Sequence, residues 1–155
     1  MSKSLKRVRA ALDAADLETP IVETPLSRTA QAAAVALGCE VDQIAKSIIF
    51  AGASSGEAVL FITAGANQVD AALAAELAGE ELGKADAALI RAQTGFAIGG
   101  VSPIGHLSPP RAFFDPRLLE FDEVWAAAGT PHHVFSAAPR ALLKASKAQL
   151  AQFVR

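Results

Sequence analysis

Lys46 is the residue whose type sits least comfortably with its neighbours. In QIAKSIIF, residues 43–50, strand alternation puts Lys46 on the face that carries Ile44, Ile48 and Phe50, while Ala45, Ser47 and Ile49 face the other way. A lysine in such an apolar row either snorkels its ammonium to water at a sheet rim or offers a point charge to a phosphate or carbonyl oxygen in a cleft. Burial without a partner would be costly. The second chemical feature is GFAIGGVSPIGH, residues 95–106, where Gly95, Gly99, Gly100 and Gly105 fall close together, Pro103 stiffens the turn and His106 closes it. One glycine in a loop commonly just supplies a positive φ angle. Several together let backbone N–H groups approach a ligand and donate to an anion or a developing oxyanion.

Other stretches resemble known sites and fail on context. GASSG, Gly52 to Gly56, fits the serine-hydrolase elbow and follows a strand, but EAVLFIT after it is a strand, where an elbow needs a helix. Ser54 is therefore expected in a hairpin loop, and a small serine hydrolase built on it is a minor alternative. GEELGK, Gly79 to Lys84, is one residue short of a phosphate loop and is followed by Ala85 where Ser or Thr is needed. His132 and His133 are adjacent, so on a strand they point to opposite faces and do not clamp one metal. With Cys39 the single cysteine, neither a disulfide nor a Cys-pair zinc site can form, and core packing is its expected role. No metal and no cofactor are expected.

The elements that must position these residues can be read from periodicity and caps. Leu5, Val8, Leu12 and Ala15 recur at helical spacing over residues 3–16, and PIVET then reads as a short strand. Thr29 can cap a helix through TAQAAAVAL that Gly38 stops. QIAKSIIFAG and EAVLFITAG, joined by ASSG, read as a central hairpin, since both faces are apolar. VDAALAAELAG and DAALIRAQTG read as helices ended by glycine, the second stop being Gly95 itself. RAFFD, DEVWAAAG and HHVFSA read as short strands, and PRALLKASKAQLAQFV as a closing helix. Without a strict βαβ rhythm, the expected class is α+β, with a mixed, mostly antiparallel and barrel-like sheet flanked by helices.

Composition bounds the function. A chain of 155 residues fits one domain, taken here as residues 1–155. No run approaches the roughly 18–20 apolar residues of a membrane span. The start, MSKSLKRVRAALDAADL, mixes charges of both signs and lacks the apolar stretch of a secretory signal, so a soluble, cytoplasmic protein is expected. A net charge of −2 argues against holding long nucleic acid through many phosphates, and no DNA or membrane partner is expected. Lys3, Lys6 and Arg7 share a helix face, as do Arg140, Lys144 and Lys147. These read as solvated surfaces, or as sites of local contact to nucleic acid.

Three segments in order resemble the YbaK and prolyl-tRNA synthetase insertion-domain superfamily in its freestanding form. They are TAQAAAVALGCEVDQIAKSIIF with its lysine, GFAIGGVSPIGH with a Gly-x-x-x-Pro core at Gly99 to Pro103, and AAGTPHHVFSAAPRALL. The resemblance spans nearly the whole chain. It implies an aminoacyl-tRNA deacylase that hydrolyses the ester of mischarged tRNA in trans, typically tRNA for proline carrying a smaller or similar amino acid. The partners implied are the 3′ acceptor end of aminoacyl-tRNA and prolyl-tRNA synthetase. Lys46 matches the family's functional lysine, which engages the 3′-terminal nucleotide. Gly99, Gly100, Val101, Ser102 and Pro103 match the loop that lines the aminoacyl pocket. Gly129 to His133 match a second wall, where either His132 or His133 would limit side-chain size together with Ile98 and Val101. No general base emerges, the substrate's own hydroxyl being one activator of water and His106, His132 and His133 the fallback bases. The rival reading is a non-catalytic module that binds aminoacyl-tRNA or an amino acid in the same cleft.

Overall fold

A computed structural model describes residues 2–155. The first helix, α1 (Lys3–Ala14), starts where the Ser2 hydroxyl accepts from Leu5 N–H, and it buries Val8 and Leu12. A two-residue strand, β1 (Val22–Glu23), precedes α2 (Ala30–Leu37), which is capped by Thr29 and stopped by Gly38 in the left-handed conformation. A 3-10 turn, Val41–Gln43, then leads into the hairpin of β2 (Ala45–Gly52) and β3 (Ala58–Ala64). Next come α3 (Ala71–Ala78), the short strand β4 (Leu82–Lys84) and α4 (Ala87–Thr94), each helix capped by an aspartate and closed by a left-handed glycine. The Gly-rich loop follows, then β5 (Arg111–Phe114) and a second 3-10 turn, Pro116–Glu120. The chain finishes with β6 (Val124–Ala127), β7 (His133–Ala137), α5 (Pro139–Ser146) and β8 (Gln149–Leu150).

These strands form a five-stranded sheet in the order β4-β2-β3-β5-β8 and a three-stranded one in the order β1-β7-β6. Pairing is mostly antiparallel, with β3–β5 and β5–β8 parallel, so the α+β class with mixed pairing is what the structure shows. The sheets do not close into a barrel. A parallel bridge between Ile44 and Trp125 joins their edges, and no ladder continues from it between β2 and β6.

The hairpin is central because both of its faces are covered. Ala45, Ile49, Leu60 and Ile62 pack with Phe114, Phe135, Val8 and Leu142 in a core that includes the three-stranded sheet, α1 and α5. On the opposite face Phe61 stacks on Phe113 and meets Phe153 edge-on, while Ile48, Phe50, Ala74 and Ala78 complete a second core under α3. Each fully buried Phe or Leu in these clusters contributes about 1.5–3 kcal/mol.

Two sequence expectations are corrected. The closing segment is helical only to Ser146, where Lys147 adopts a positive φ of 57° and turns the chain. Gln149 and Leu150 then pair with β5, and Phe153 and Val154 bury in the second core, so what reads as one amphipathic helix is helix, turn, strand and anchor. GEELGK, already one residue short of a phosphate loop, carries β4, which pairs with the end of β2. Cys39 is half-buried in the turn after α2 and outside both cores, with its thiol pKa raised first by burial and then by Glu123 and Glu40.

Candidate functional site

A cleft of about 300 Å³, at the lower end of small-molecule sites, lies between β2 and β6 and is lined on other sides by α2, the Gly-rich loop and the turn between β6 and β7. Its β2 wall turns backbone groups toward β6. Asp115 N–H donates to Ile62 O at 2.9 Å, and Ala64 N–H donates to Asp115 Oδ2 at 3.1 Å, so these β3 residues direct their polar groups away from β2. By the alternation of an antiparallel ladder, their partners Ser47 and Ala45 direct theirs away from β3, toward β6, Ala45 beside the bridge to Trp125. The same reasoning applies across the gap. Ala128 N–H donates to His133 O at 2.8 Å, which leaves the backbone of Ala127 pointing away from β7. The backbone groups of Ser47 and Ala127 therefore point into the space between the two strands.

Lys46 stands on the β2 wall, half-buried, and its Nζ donates to Asn67 O at 2.7 Å. That carbonyl is itself fixed, because Asn67 Nδ2 donates to Asp115 Oδ2 at 2.9 Å and Ala66 N–H donates to Asp42 Oδ1 at 2.8 Å. Asp115 is almost fully buried and accepts three hydrogen bonds, the third from Arg117 N–H. Burial lowers the Lys46 pKa, and the charges of Asp42 and Asp115 partly restore it. An ammonium has three donors. One is used as a tether, and two remain for a ligand in the cleft.

The Gly-rich loop explains its own glycines differently from expectation. Gly95 is the left-handed stop of α4, and a Cβ there would lie 2.5 Å from the guanidinium of Arg7. At Gly105 (φ +80°) a Cβ would meet the Arg7 carbonyl at 3.1 Å. At Gly100 it would lie 2.7 Å from Thr130 Cα. Only Gly99, at φ +90° with nothing within 4 Å, is bare on the cleft side. Three of the four glycines thus admit other parts of this chain.

Of the residues singled out in the sequence, Lys46, Gly99, Val101 and His133 are brought together around the cleft. The others stand elsewhere. Gly100 is buried against Thr130, with its N–H committed to Ala97 O at 3.1 Å. Ser102 is fully buried, its hydroxyl accepting from Ile104 N–H at 3.3 Å, and Pro103 is buried beside it. His106 lies behind the loop, 2.7 Å from Ser102 O through Nε2 and edge-on to Phe96. Burial lowers its pKa, the Ser102 carbonyl opposes that, and Arg7 adds to the lowering. Gly129 is buried under the backbone of Ser4, while Ile98 and His132 are exposed outside the lining. The alternation of β7 and the turn before it separates the two histidines: His133 Nδ1 sits 2.6 Å from Thr130 Oγ1, which also accepts from His132 N–H. Ser54 is pinned in the β2–β3 loop, its N–H on Glu80 Oε1 at 2.9 Å, away from any histidine of the cleft.

The cleft also holds residues that sequence reasoning missed. Arg28 stands at its rim before α2, and Trp125 lines it beside the bridge to Ile44. Ser47 presents a buried hydroxyl with no hydrogen-bond partner. No Asp or Glu lines the cleft, so its fixed charges, Arg28 and Lys46, are both positive although the chain as a whole is at −2. Arg28 carried no pattern in the sequence; the charge interrupting an apolar alternation was the one available signal, and it marked Lys46 alone. No group of His, Cys, Asp and Glu among the described residues is arranged to hold a metal, and no described helix is long and apolar enough to cross a membrane.

Residues 24–145 match the family model described as the aminoacyl-tRNA editing domain. The fold superposes with a TM-score of 0.92 on a solved structure described as a candidate trans-editing enzyme for prolyl tRNA synthetase, at 44% identity over 100% of this chain and 99% of that one. It superposes at 0.86 on the hypothetical protein APE2540, 25% identical over 96% of this chain and 99% of that one. The uncharacterized protein YwhH of Bacillus subtilis (strain 168) is 29% identical over 140 residues, 90% of this chain and 88% of that protein.

Proposed function

The chain belongs to the aminoacyl-tRNA editing domain family, and on that premise we propose that it hydrolyses the ester of mischarged aminoacyl-tRNA in trans, acting on tRNA for proline that carries a small non-cognate amino acid. The observation that carries this reading is that Lys46, its ammonium tethered to Asn67 O, and the bare Gly99 both line one cleft with positive fixed charge and no carboxylate. Such a cleft suits the 3′ end of a tRNA, where phosphate charge must be matched locally while the protein's net charge stays small.

In this mechanism Lys46 holds the terminal phosphate or ribose and so fixes the ester relative to the loop. The α-ammonium of the aminoacyl group donates to backbone carbonyls that β2 and β6 turn toward the cleft, at Ser47 and Ala127. The backbone N–H groups of Gly99 and Val101 receive the carbonyl oxygen as it becomes an oxyanion. Water adds to the carbonyl carbon, its proton relayed through the substrate's free ribose hydroxyl to the departing ribose oxygen, or taken by His133 and returned to that oxygen. Collapse of the tetrahedral intermediate breaks the bond to the ribose oxygen, which takes up a proton as free amino acid and uncharged tRNA leave. Val101 and His133 limit the side chain that fits. A second sieve is useful because one methylene gives a synthetase only about 1–3 kcal/mol of discrimination.

The test is turnover by catalytic protein on tRNA for proline charged with alanine, cysteine, serine or threonine, compared with the Lys46→Ala protein. Loss of one charged hydrogen bond, about 1.5–3 kcal/mol, corresponds to a roughly 10- to 100-fold fall in kcat/KM. Multiple turnovers that drop in folded Lys46→Ala support the reading. Stoichiometric protection of the ester would replace it with a binding module, and undiminished hydrolysis by Lys46→Ala would remove Lys46 from the mechanism.

A further inference from the structure

The Gly-rich loop reaches the cleft only at its tip, and what fixes its two ends comes from a helix outside the segment that defines the family. The family match begins at residue 24, whereas α1 spans Lys3–Ala14. From α1, Arg7 turns inward. Its Nη2 donates to Gly95 O at 2.6 Å and its Nε to Gly105 O at 3.3 Å, while its guanidinium carbon lies 4.8 Å from the centroid of Phe96. Lys3 and Lys6 remain exposed, so the basic face read from the sequence is divided and Arg7 does not belong to it.

We propose that Arg7 is a positioning residue for the cleft: its guanidinium ties the two ends of the 95–105 loop together and thereby sets where Gly99 and Val101 stand opposite Lys46. The glycines at both ends follow from this. A side chain at Gly95 would occupy the guanidinium's place, and one at Gly105 would press on the Arg7 carbonyl of α1 at 3.1 Å. Inside the tie, the loop closes on itself through His106 Nε2 to Ser102 O at 2.7 Å and Ile104 N–H to Ser102 Oγ at 3.3 Å. The same helix braces the opposite wall, since the Ser4 carbonyl would lie 3.0 Å from a Cβ at Gly129, just before Thr130. Both movable walls are therefore referred to one rigid element. Arginine is required for its geometry, because a planar fork can reach two carbonyls at once while its face covers Phe96, and a lysine ammonium can do one of these at a time.

The consequence for catalysis rests on the deacylase reading, and the experiment separates the two. Arg7→Lys keeps the charge, and Arg7→Gln keeps helix propensity and one hydrogen bond, so one variant remains if the other fails to fold. For each, amide hydrogen exchange across residues 95–106 is measured alongside steady-state deacylation of charged tRNA. The expected result is faster exchange confined to the loop and the 129–133 turn, with β3 protected as in the parent. A fall in kcat on the order of tenfold or more should accompany it, with KM little changed. Unchanged loop exchange would overturn the proposal. So would exchange that rises equally in the loop and the core strands, which would make Arg7 a general stabiliser. A rise in KM with a shallower salt dependence and an unchanged loop would make it a phosphate contact and also overturn the proposal. If the parent protein turns over no charged tRNA, the proposed function fails, while the exchange data still decide whether Arg7 holds the loop.

Discussion

Replacing Gly100 with alanine tests whether the width of the cleft is set by backbone resting on backbone. A Cβ at this position would lie 2.7 Å from Thr130 Cα, 2.8 Å from its carbonyl carbon and 3.0 Å from its nitrogen. Carbon atoms in contact prefer about 3.5–4.0 Å, so the loop and the turn must part by about 1 Å. The atoms struck are main chain, which has no rotamer to escape into. Overpacking of this kind costs about 1–3 kcal/mol, which in a chain of this length lowers Tm by roughly 2–12 °C. Because Val101 and Thr130 both line the cleft, the same 1 Å reaches the site, where misplacement of that size costs up to about 100-fold in rate. Thermal unfolding followed by circular dichroism gives the first quantity and deacylation of charged tRNA the second. Gly79→Ala is the control: Gly79 closes α3 at φ +73° with nothing within 4 Å, outside the cleft, so alanine there loses stability through backbone strain and leaves the site alone. A Gly100→Ala protein with parental Tm and parental turnover would refute the reasoning, since the loop could then not be seated on Thr130 as described.

Two pH dependences follow from groups outside the cleft. Glu80 accepts from the N–H groups of Ser54 and Ser55, from the Ser55 hydroxyl and from Arg111, and these bonds, the Ser55 N–H foremost, hold its pKa down to about 2 against an ordinary 4.5. A carboxyl depressed on folding stabilises fully above its unfolded pKa and loses that contribution as pH falls toward the folded value. Urea midpoints of Glu80→Gln should therefore lie below the parent's at neutral pH and converge with them between pH 4.5 and 2; parallel curves would dismiss the effect. His106 acts in the same direction from a different cause: burial favours its neutral form, so below pH 6.5 the unfolded chain takes up the proton first and stability declines with acidification. Replacement by glutamine should flatten that decline just below pH 6.5, and an unchanged slope in the variant would count against it.

How much of this was legible in the sequence depended on whether the cause was local. The helix starts at Thr29, Asp70 and Asp86 and the stops at Gly38, Gly79 and Gly95 are caps whose chemistry lies within a few residues of the helix they bound, and all were readable or nearly so. The end of α5 was not, because Lys147 takes the left-handed conformation without the glycine that usually announces it, and Gln149–Leu150 become a strand only by pairing with β5. β4 was missed for the same reason: Leu-Gly-Lys has no strand character until the edge of β2 supplies the partner. At the site, Lys46 was legible because alternation made its charge an anomaly. The loop was recognised as special, yet the reason for three of its glycines lay in Arg7 and Thr130, which no spacing rule connects to it. Arg28, Ser47 and Trp125 join the cleft through a bridge between distant strands and through the seat of α2, neither of which has a local signature.

A pocket that sorts aminoacyl groups by size must be stiff, because the difference it reads is a methylene or two, and a wall that yields by half an ångström no longer reads it. Side chains make poor walls for this purpose, since a rotamer change relaxes them for about 0.5–1.5 kcal/mol. The cleft relies on main chain. Gly100 rests on the Thr130 backbone, Gly129 under the Ser4 carbonyl and Gly105 against α1 at Arg7, three places where removing a side chain lets rigid elements meet directly. The wall on the far side is a strand of the central hairpin, paired to β3 along its length. On this view the glycines of the loop set the selectivity of the proposed reaction more than its rate-giving contacts do. A glycine replaced away from the cleft opening should broaden the range of amino acids removed before it abolishes removal.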